Sequence, residues 1–123
     1  MTGMITSHEV NGLNEALEIE VLDEPGDGGA CHEYSITSIS DEKVNCQIHF
    51  QNGPIRESVV KANGISNESL LAVVEHRLQG FQSGEFSCRE NAIALTKIQE
   101  AMHWLHHRTR DRLSRGVEGT HEK

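Results

Sequence analysis

SCRENAIALTKIQEAMHWLHHRTRDRLSRGVEGT, residues 87–120, predicts one long amphipathic helix. Ser87 and Glu90 have the spacing of a capping box, in which each side chain accepts the other residue's backbone N–H. Gly116 supplies the usual stop. A helix over residues 88–115 would be about 42 Å long, longer than a chain of this size needs to cover its own core. We therefore expect it to pack on another subunit or to leave one end in water.

The apolar residues of this helix recur at spacings of three and four, the period of one helix face. They are Ala94, Ile98, Ala101 and Leu105, with Ile93, Leu95, Met102 and Leu113 beside them. Residues 66–81 predict a first helix, with Ser66 or Asn67 as its N-cap. Its apolar face holds Leu70, Val74, Leu78 and Phe81. Because only residues 82–86 join the helices, we predict an antiparallel helical hairpin.

Ahead of the hairpin, polar and apolar residues alternate along residues 17–21, 32–39 and 44–50, the period of half-buried strands. Turn-forming sequences at 24–29, 40–43 and 51–54 separate them, which favours an antiparallel meander. A fourth strand is predicted at 56–62. The expected fold is α+β in a single domain, residues 1–123, with an antiparallel sheet of about four strands at 14–64 and the hairpin at 66–116. Residues 1–12 and 121–123 are candidates for disorder.

Charge is distributed unevenly along the chain. Residues 1–86 hold 4 Lys and Arg against 14 Asp and Glu, a formal charge of -10, whereas residues 87–123 hold 7 against 5, a charge of +2. An acidic surface repels a DNA or RNA polymer. A small phosphorylated ligand beside the C-terminal arginines is not excluded in this way.

Three widely spaced cysteines, Cys31, Cys46 and Cys88, argue against a disulfide framework and against a zinc ribbon. They favour a reducing cytoplasm. The sequence shows neither an apolar run of membrane-spanning length nor a signal peptide, so we expect neither membrane insertion nor export.

Two polar clusters on the long helix could carry chemistry. Arg108, Arg112 and Arg115 are spaced to share one face, as a phosphate site requires, but arginine also complements a helix C-terminus, and spacing alone does not decide. His103 and His107 stand four residues apart, which suggests a metal, but the sequence lacks the remaining ligands. It also lacks a nucleophile elbow and a phosphate-binding loop. The residues therefore favour a binding module without cofactor or metal over an enzyme.

Residues 79–120 resemble the helical hairpin of the phage Thoeris anti-defence sponges, which is shared with sponges that block CBASS defence. The resemblance is carried by GFQSG at 80–84, CRENAxALTKxxEA from 88, WLxxRTRxR from 104 and RGVxGT from 115. Residues 47–78 resemble the Thoeris branch, which adds an N-terminal antiparallel sheet. The resemblance covers about residues 14–120.

The resemblance implies a phage protein in the host bacterial cytoplasm that binds, without cleaving it, the cyclic ADP-ribose signal (glycocyclic ADP-ribose) made by TIR enzymes. It implies a homo-oligomer, a dimer or a hexamer, and in some members separate pockets for cyclic di- or trinucleotides. Carried over by position, Phe81 would stack on the adenine, Asn91 would hydrogen-bond the ligand, and Arg56 would reach the pyrophosphate. Arg108 would serve a nucleotide pocket on the tail that also holds Arg112 and Thr120.

Each of these roles has a plainer alternative. Phe81 could be a hydrophobic plug that closes the hairpin, Asn91 a solvated first-turn residue, and Arg56 a charge on a turn. At the level of function, the alternatives are a phosphoesterase that degrades the nucleotide signal and an inhibitor that binds a protein through the long helix.

Overall fold

The computed structural model describes residues 3–53 and 62–116. They divide into two compact units: a sheet unit of residues 3–53 and 62–65, and a hairpin unit of residues 66–116. The α+β fold predicted from the sequence is confirmed, with a four-stranded antiparallel sheet followed by a long C-terminal helix. The assignment of all 123 residues to a single domain stays a prediction.

The sheet has the strand order β1-β2-β3-β4, and each strand is antiparallel to its neighbour. The strands are β1 (Gly3–Ile5), β2 (Leu17–Val21), β3 (Glu33–Ser38) and β4 (Asn45–His49). In the register, Ile19 of β2 opposes Ile36 of β3, which opposes Cys46 of β4. Three of the predicted strands are thus present where the alternation placed them.

The structure of the N-terminal segment contradicts the expectation of disorder there. Residues 1–12 were expected to be disordered, but β1 pairs with β2 through Ile5 and Ile19. A short helix, α1 (Gly12–Ala16), follows, and the Asn11 side chain caps it by accepting the Asn14 backbone N–H at 2.9 Å. A three-residue strand is too short to show a period, and it forms because the edge of β2 supplies its hydrogen-bond partners. The strand predicted at 56–62 lies almost entirely outside the described residues.

A parallel bridge between Phe50 and Ile65 closes the sheet unit. The Gln51 N–H donates to the Ile65 carbonyl at 2.9 Å, and the Ile65 N–H donates to the His49 carbonyl at 2.8 Å. Gly64 lies so close to this bridge that a Cβ added to it would fall 2.5 Å from the His49 carbonyl oxygen. Only glycine fits this position without a backbone shift.

The hairpin unit consists of α2 (Asn67–Gln82) and α3 (Arg89–Ser114), which pack against each other. Ser66 caps α2, and Ser66 and Ser69 each accept the other's backbone N–H, at 3.0 and 3.1 Å. The capping box predicted for Ser87 and Glu90 is wrong: Cys88 is the N-cap of α3, and its Sγ accepts the Asn91 N–H at 3.4 Å. Because α3 begins one residue later than predicted, the Cys88 thiol caps it instead of the Ser87 hydroxyl.

The two helices differ in length, at 16 residues for α2 and 26 for α3. At about 1.5 Å per residue, α3 is roughly 15 Å longer than α2. It ends as predicted, with Gly116 at a positive φ of 73° immediately after the last turn. Within the described chain, no helix is both long and apolar enough to cross a membrane.

The half-buried side chains of the two helices recur at spacings of three and four, as in a helix pair. They are Asn91, Leu95, Ile98, Met102, Leu105 and Thr109 on α3, and Glu68, Leu71, Ala72, Glu75, Leu78 and Gln82 on α2. Of the apolar face predicted for α2, only Leu78 belongs to this stripe, and Leu70, Val74 and Phe81 are more exposed. Among the described residues, no apolar side chain is fully buried.

Candidate functional site

The turn of the hairpin brings two of the predicted ligand-binding residues to one place. Phe81 lies in the last turn of α2 and Asn91 in the first turn of α3. Phe86, in the connection between them, contacts both. Its ring meets the Phe81 ring edge to face, with centroids 6.3 Å apart, and its carbonyl accepts the Asn91 Nδ2–H at 3.4 Å.

A cation completes this arrangement. The Arg77 guanidinium lies over the Phe81 ring, 5.3 Å from its centroid, within the range of a cation–π contact. We call Arg77, Phe81, Phe86 and Asn91 the hairpin-turn cluster. Phe81 is 36 % exposed, so part of its ring remains accessible. The cluster thus offers an aromatic ring, a guanidinium and an amide, the groups that stack on a base and bind phosphate or polar edges.

The sequence reasoning missed Arg77 and Phe86. A signal for Arg77 was available, because it stands four residues before Phe81 and so shares its helix face. No such signal existed for Phe86, because a residue in a connection has no period. Its position follows from the hydrogen bonds of the turn.

Those bonds fix the geometry of the connection. The Gln82 side-chain oxygen accepts the Cys88 N–H at 3.0 Å and so ties the end of α2 to the cap of α3. The Ser83 hydroxyl donates to the Gly80 carbonyl at 2.9 Å, which satisfies one of the last carbonyls of α2. The turn is therefore held by its own polar side chains.

Of the other predicted binding residues, the structure describes Arg108 and Arg112. Arg108 is exposed on α3, roughly 25 Å along the helix axis from Asn91, so a single chain does not bring it to the hairpin turn. Arg112 is only 4 % exposed, whereas Arg108, which the spacing placed near the same face, is exposed. Arg56 and Thr120 lie outside the described residues.

The histidine-rich segment forms an aromatic cluster on α3. The Trp104 ring meets His103 and His107 edge to face, with centroid distances of 5.4 and 5.6 Å. Over residues 3–53 and 62–116, no three His, Cys, Asp or Glu side chains are placed to hold a metal ion together.

The sheet unit contains a polar recess of about 410 Å³. Its lining consists of Asp23, Glu24, His32, Glu33, His49, Phe50, Asn52 and Asn63. The Asp23 carboxylate accepts the backbone N–H groups of His32 at 2.9 Å and Glu33 at 3.1 Å, and so holds the chain at the start of β3. Desolvation acts to raise the pKa of Asp23, but these N–H groups and the nearby His32 lower it below its ordinary value of 3.8.

This shift makes the stability of the sheet unit depend on pH. The folded pKa of Asp23 is the lower one, so its carboxylate stabilises the fold above pH 3.8 and this contribution is lost as the pH falls through the folded pKa. Asp23→Asn is therefore expected to lower the free energy of unfolding at neutral pH and to converge with the unmodified protein in acid. Chemical denaturation at a series of pH values measures this.

Glu18→Gln, which removes an exposed carboxylate from β2, is the matched control. If both variants differ from the unmodified protein by the same free energy of unfolding at every pH, the pH dependence does not come from Asp23.

The fold and the hairpin turn together define a class of protein: an antiparallel sheet followed by a helical hairpin whose turn carries aromatic, guanidinium and amide groups. The family model described as "Acb2/Tad1, hairpin domain" matches residues 42–110. The chain belongs to this family. It is 48 % identical over 98 residues to a protein of Bacillus phage SBSphiJ7 named "Thoeris anti-defense 1". That match covers 80 % of this chain and 66 % of the phage protein.

Proposed function

We propose that this protein is a phage anti-defence sponge. It binds the TIR-derived cyclic ADP-ribose signal of Thoeris immunity, glycocyclic ADP-ribose, and sequesters it in the host cytoplasm without cleaving it. The observation that carries the proposal is the hairpin-turn cluster, which lies within the residues that match the family. The name of the phage relative supports the anti-defence role.

The chemistry of the cluster suits this ligand. The accessible part of the Phe81 ring offers a stacking surface for the adenine. Among the described residues, the Asn91 amide donates one long hydrogen bond, at 3.4 Å, which it exchanges for a shorter one to the ligand. Arg77 adds a positive charge beside the ring, suited to the pyrophosphate. The resemblance to the sponges also assigns the pyrophosphate to Arg56, which lies outside the described residues.

The sponge acts as a homo-oligomer, a dimer or a hexamer. Leu70, Val73 and Val74 lie together on α2 and are partly exposed, Val73 by 58 %. Apolar side chains that cluster on one helix face of a single chain indicate a surface that a partner covers.

The proposal is tested by a release assay. The purified protein is mixed with the cyclic ADP-ribose product of a TIR enzyme, unbound ligand is removed, the protein is heat-denatured, and the released compound is identified by mass spectrometry. Release of the unaltered cyclic ADP-ribose would support the sponge function. A converted product would instead indicate a phosphoesterase, and failure to retain any ligand would favour cyclic oligonucleotides or a protein partner.

Arg108 is proposed to serve a separate pocket for cyclic di- or trinucleotides, together with Arg112 and Thr120. Arg108→Ala is expected to weaken binding of such a nucleotide by about 10- to 100-fold, the value of one charge-assisted hydrogen bond. Binding of the cyclic ADP-ribose should change little, because Arg108 is distant from the hairpin turn in the same chain. Titration calorimetry with both ligands measures this.

Arg110→Ala is the control, since it removes the same charge from the opposite side of α3. Equal losses for both ligands in Arg108→Ala would contradict the separation of the two pockets.

A further inference from the structure

Three Asn-Gly sequences occur in this chain, beginning at Asn11, Asn52 and Asn63. Asparagine before glycine is chemically labile, because glycine lacks the Cβ that would shield its backbone nitrogen from the asparagine side chain. All three asparagines are exposed, so access to water does not distinguish between them. The hydrogen bonds of their side chains do distinguish between them.

The reaction begins when the backbone nitrogen of the glycine attacks Cγ of the asparagine side chain. The new N–Cγ bond closes a succinimide ring, the Cγ–Nδ2 bond breaks, and the amide leaves as ammonia with the proton of the glycine N–H. Water then opens the ring at one of its two carbonyls, which gives aspartate or isoaspartate. Because the side chain must rotate toward the glycine nitrogen, hydrogen bonds that hold it slow the reaction.

The Asn63 side chain is held at both ends. Its Oδ1 accepts the Asn52 N–H at 2.9 Å, and its Nδ2 donates to the Asn52 carbonyl at 2.9 Å. The residue that would attack it is held as well, because Gly64 packs against the His49 and Phe50 carbonyls too closely for a Cβ. Both the amide and the attacking nitrogen are therefore fixed.

The Asn11 side chain is held at one end. Its Oδ1 caps α1 by accepting the Asn14 N–H at 2.9 Å, and rotation of the side chain would cost the helix this cap. The Asn52 side chain lacks such a restraint. The hydrogen bonds that Asn52 makes among the described residues use its backbone N–H and carbonyl.

We propose that Asn52 is a site of spontaneous deamidation in the folded protein, whereas Asn11 and Asn63 are protected by their side-chain hydrogen bonds. Asn52 thus restrains Asn63 through its backbone while its own side chain stays labile. The inference goes beyond the proposed function and does not depend on the identity of the ligand.

Deamidation at Asn52 changes the charge of the polar recess in the sheet unit. Asn52 lines this recess together with three carboxylates, those of Asp23, Glu24 and Glu33. The product adds a fourth carboxylate, in a chain whose formal charge is already -8. In the isoaspartyl product the peptide bond runs through Cγ, which lengthens the backbone by one carbon. The folded protein is therefore expected to accumulate an acidic form that anion-exchange chromatography separates.

Peptide mapping of the aged protein tests the order of the three sites. The full chain is incubated in mildly alkaline buffer, digested with trypsin and analysed by mass spectrometry, and a sample digested at zero time corrects for deamidation during digestion. Cleavage after lysine and arginine places the three Asn-Gly sequences in different peptides. We expect Asn52 to deamidate about 10-fold faster than Asn63 or more, since two hydrogen bonds must open at Asn63. Asn11, with one such bond, should lie between them.

The same incubation in concentrated guanidinium chloride tests whether the structure sets this order. We expect the three rates to converge in the unfolded chain, because the dipeptide is the same at each site. Equal rates at Asn52 and Asn63 in the folded protein, or an order that is unchanged in denaturant, would overturn the proposal. So would a folded protein in which Asn52 stays intact while the unfolded chain reacts.

Two variants assign the acidic form to one residue. Asn52→Gln keeps the backbone groups that hold Asn63 and should stop the acidic form from accumulating. Asn11→Ser is the matched control, because serine can still cap α1 but cannot deamidate, and the acidic form should appear at the rate of the parent chain. An acidic form that accumulates as fast in Asn52→Gln as in the parent chain would contradict the assignment.

Discussion

Replacement of Phe81 by alanine is expected to weaken retention of the cyclic ADP-ribose signal by about 5- to 150-fold, because stacking of one base on an aromatic ring contributes about 1–3 kcal/mol. The substitution also removes the surface over which the Arg77 guanidinium lies at 5.3 Å. Arg77 then loses its cation–π contact. Titration calorimetry and the amount of signal recovered after heating both measure the loss.

Two further variants separate stacking from bulk. Phe81→Trp keeps an aromatic face and should retain the ligand, whereas Phe81→Leu keeps an apolar side chain without that face and should behave more like alanine. If Phe81→Leu binds as tightly as the unmodified protein, the stacking role is wrong. If Phe81→Ala unfolds the hairpin, as helical circular dichroism would show, Phe81 is a plug that closes the turn.

Replacement of Gly64 by alanine is expected to destabilise the sheet unit by about 2–3 kcal/mol. The new Cβ would lie 2.5 Å from the His49 carbonyl oxygen and 2.6 Å from the Phe50 carbonyl oxygen. Both are backbone atoms, so neither can rotate away. The strand end must shift, and the two hydrogen bonds that join Gln51 and His49 to Ile65 are weakened.

The readout has to distinguish the two units. Amide hydrogen exchange at Gln51 and Ile65 reports the bridge in the sheet unit, whereas Trp104 fluorescence reports α3. We expect faster exchange in Gly64→Ala with a smaller change in fluorescence. Gly3→Ala is the control, since a Cβ at Gly3 meets no atom within 4 Å. Equal exchange rates in the two variants would contradict the steric argument.

Most of the regular structure could be predicted from residue patterns. The strands at 17–21, 32–39 and 44–50 and the helices at 66–81 and 88–115 agree with the structure to within a residue or two. These elements have several residues each, so period and capping chemistry signal them strongly. The N-cap of α3 was predicted one residue too early, at Ser87 instead of Cys88, because both side chains are able to cap a helix.

The N-terminal strand and the bridge at Ile65 were beyond sequence reasoning. Residues 3–5 are stabilised by the edge of β2, and Ile65 by Gln51 and His49. Neither segment carries enough residues to show a period. Their structure depends on partners distant in sequence, which a local pattern does not encode.

The candidate site, like the fold, could be predicted only in part from the sequence. The sequence motifs shared with the sponge family singled out Phe81 and Asn91. The structure brings these residues together through Phe86. Arg77 entered the cluster only once its guanidinium was placed over the Phe81 ring. Arg112 shows the opposite case, because its spacing from Arg108 and Arg115 did not reveal that this arginine is buried.

The sequence by itself determined the helical hairpin, the three longer strands and the separation of an acidic sheet region from a basic helix, because these properties are encoded in local period and charge. Only the tertiary structure decided which side chains meet at the hairpin turn, which arginine is buried, and why position 64 must be glycine. Position 64 is decided by its distance to His49 and Phe50, and the hairpin turn by the contacts that Phe86 makes with Phe81 and Asn91. Such distances exist only after the backbone has folded.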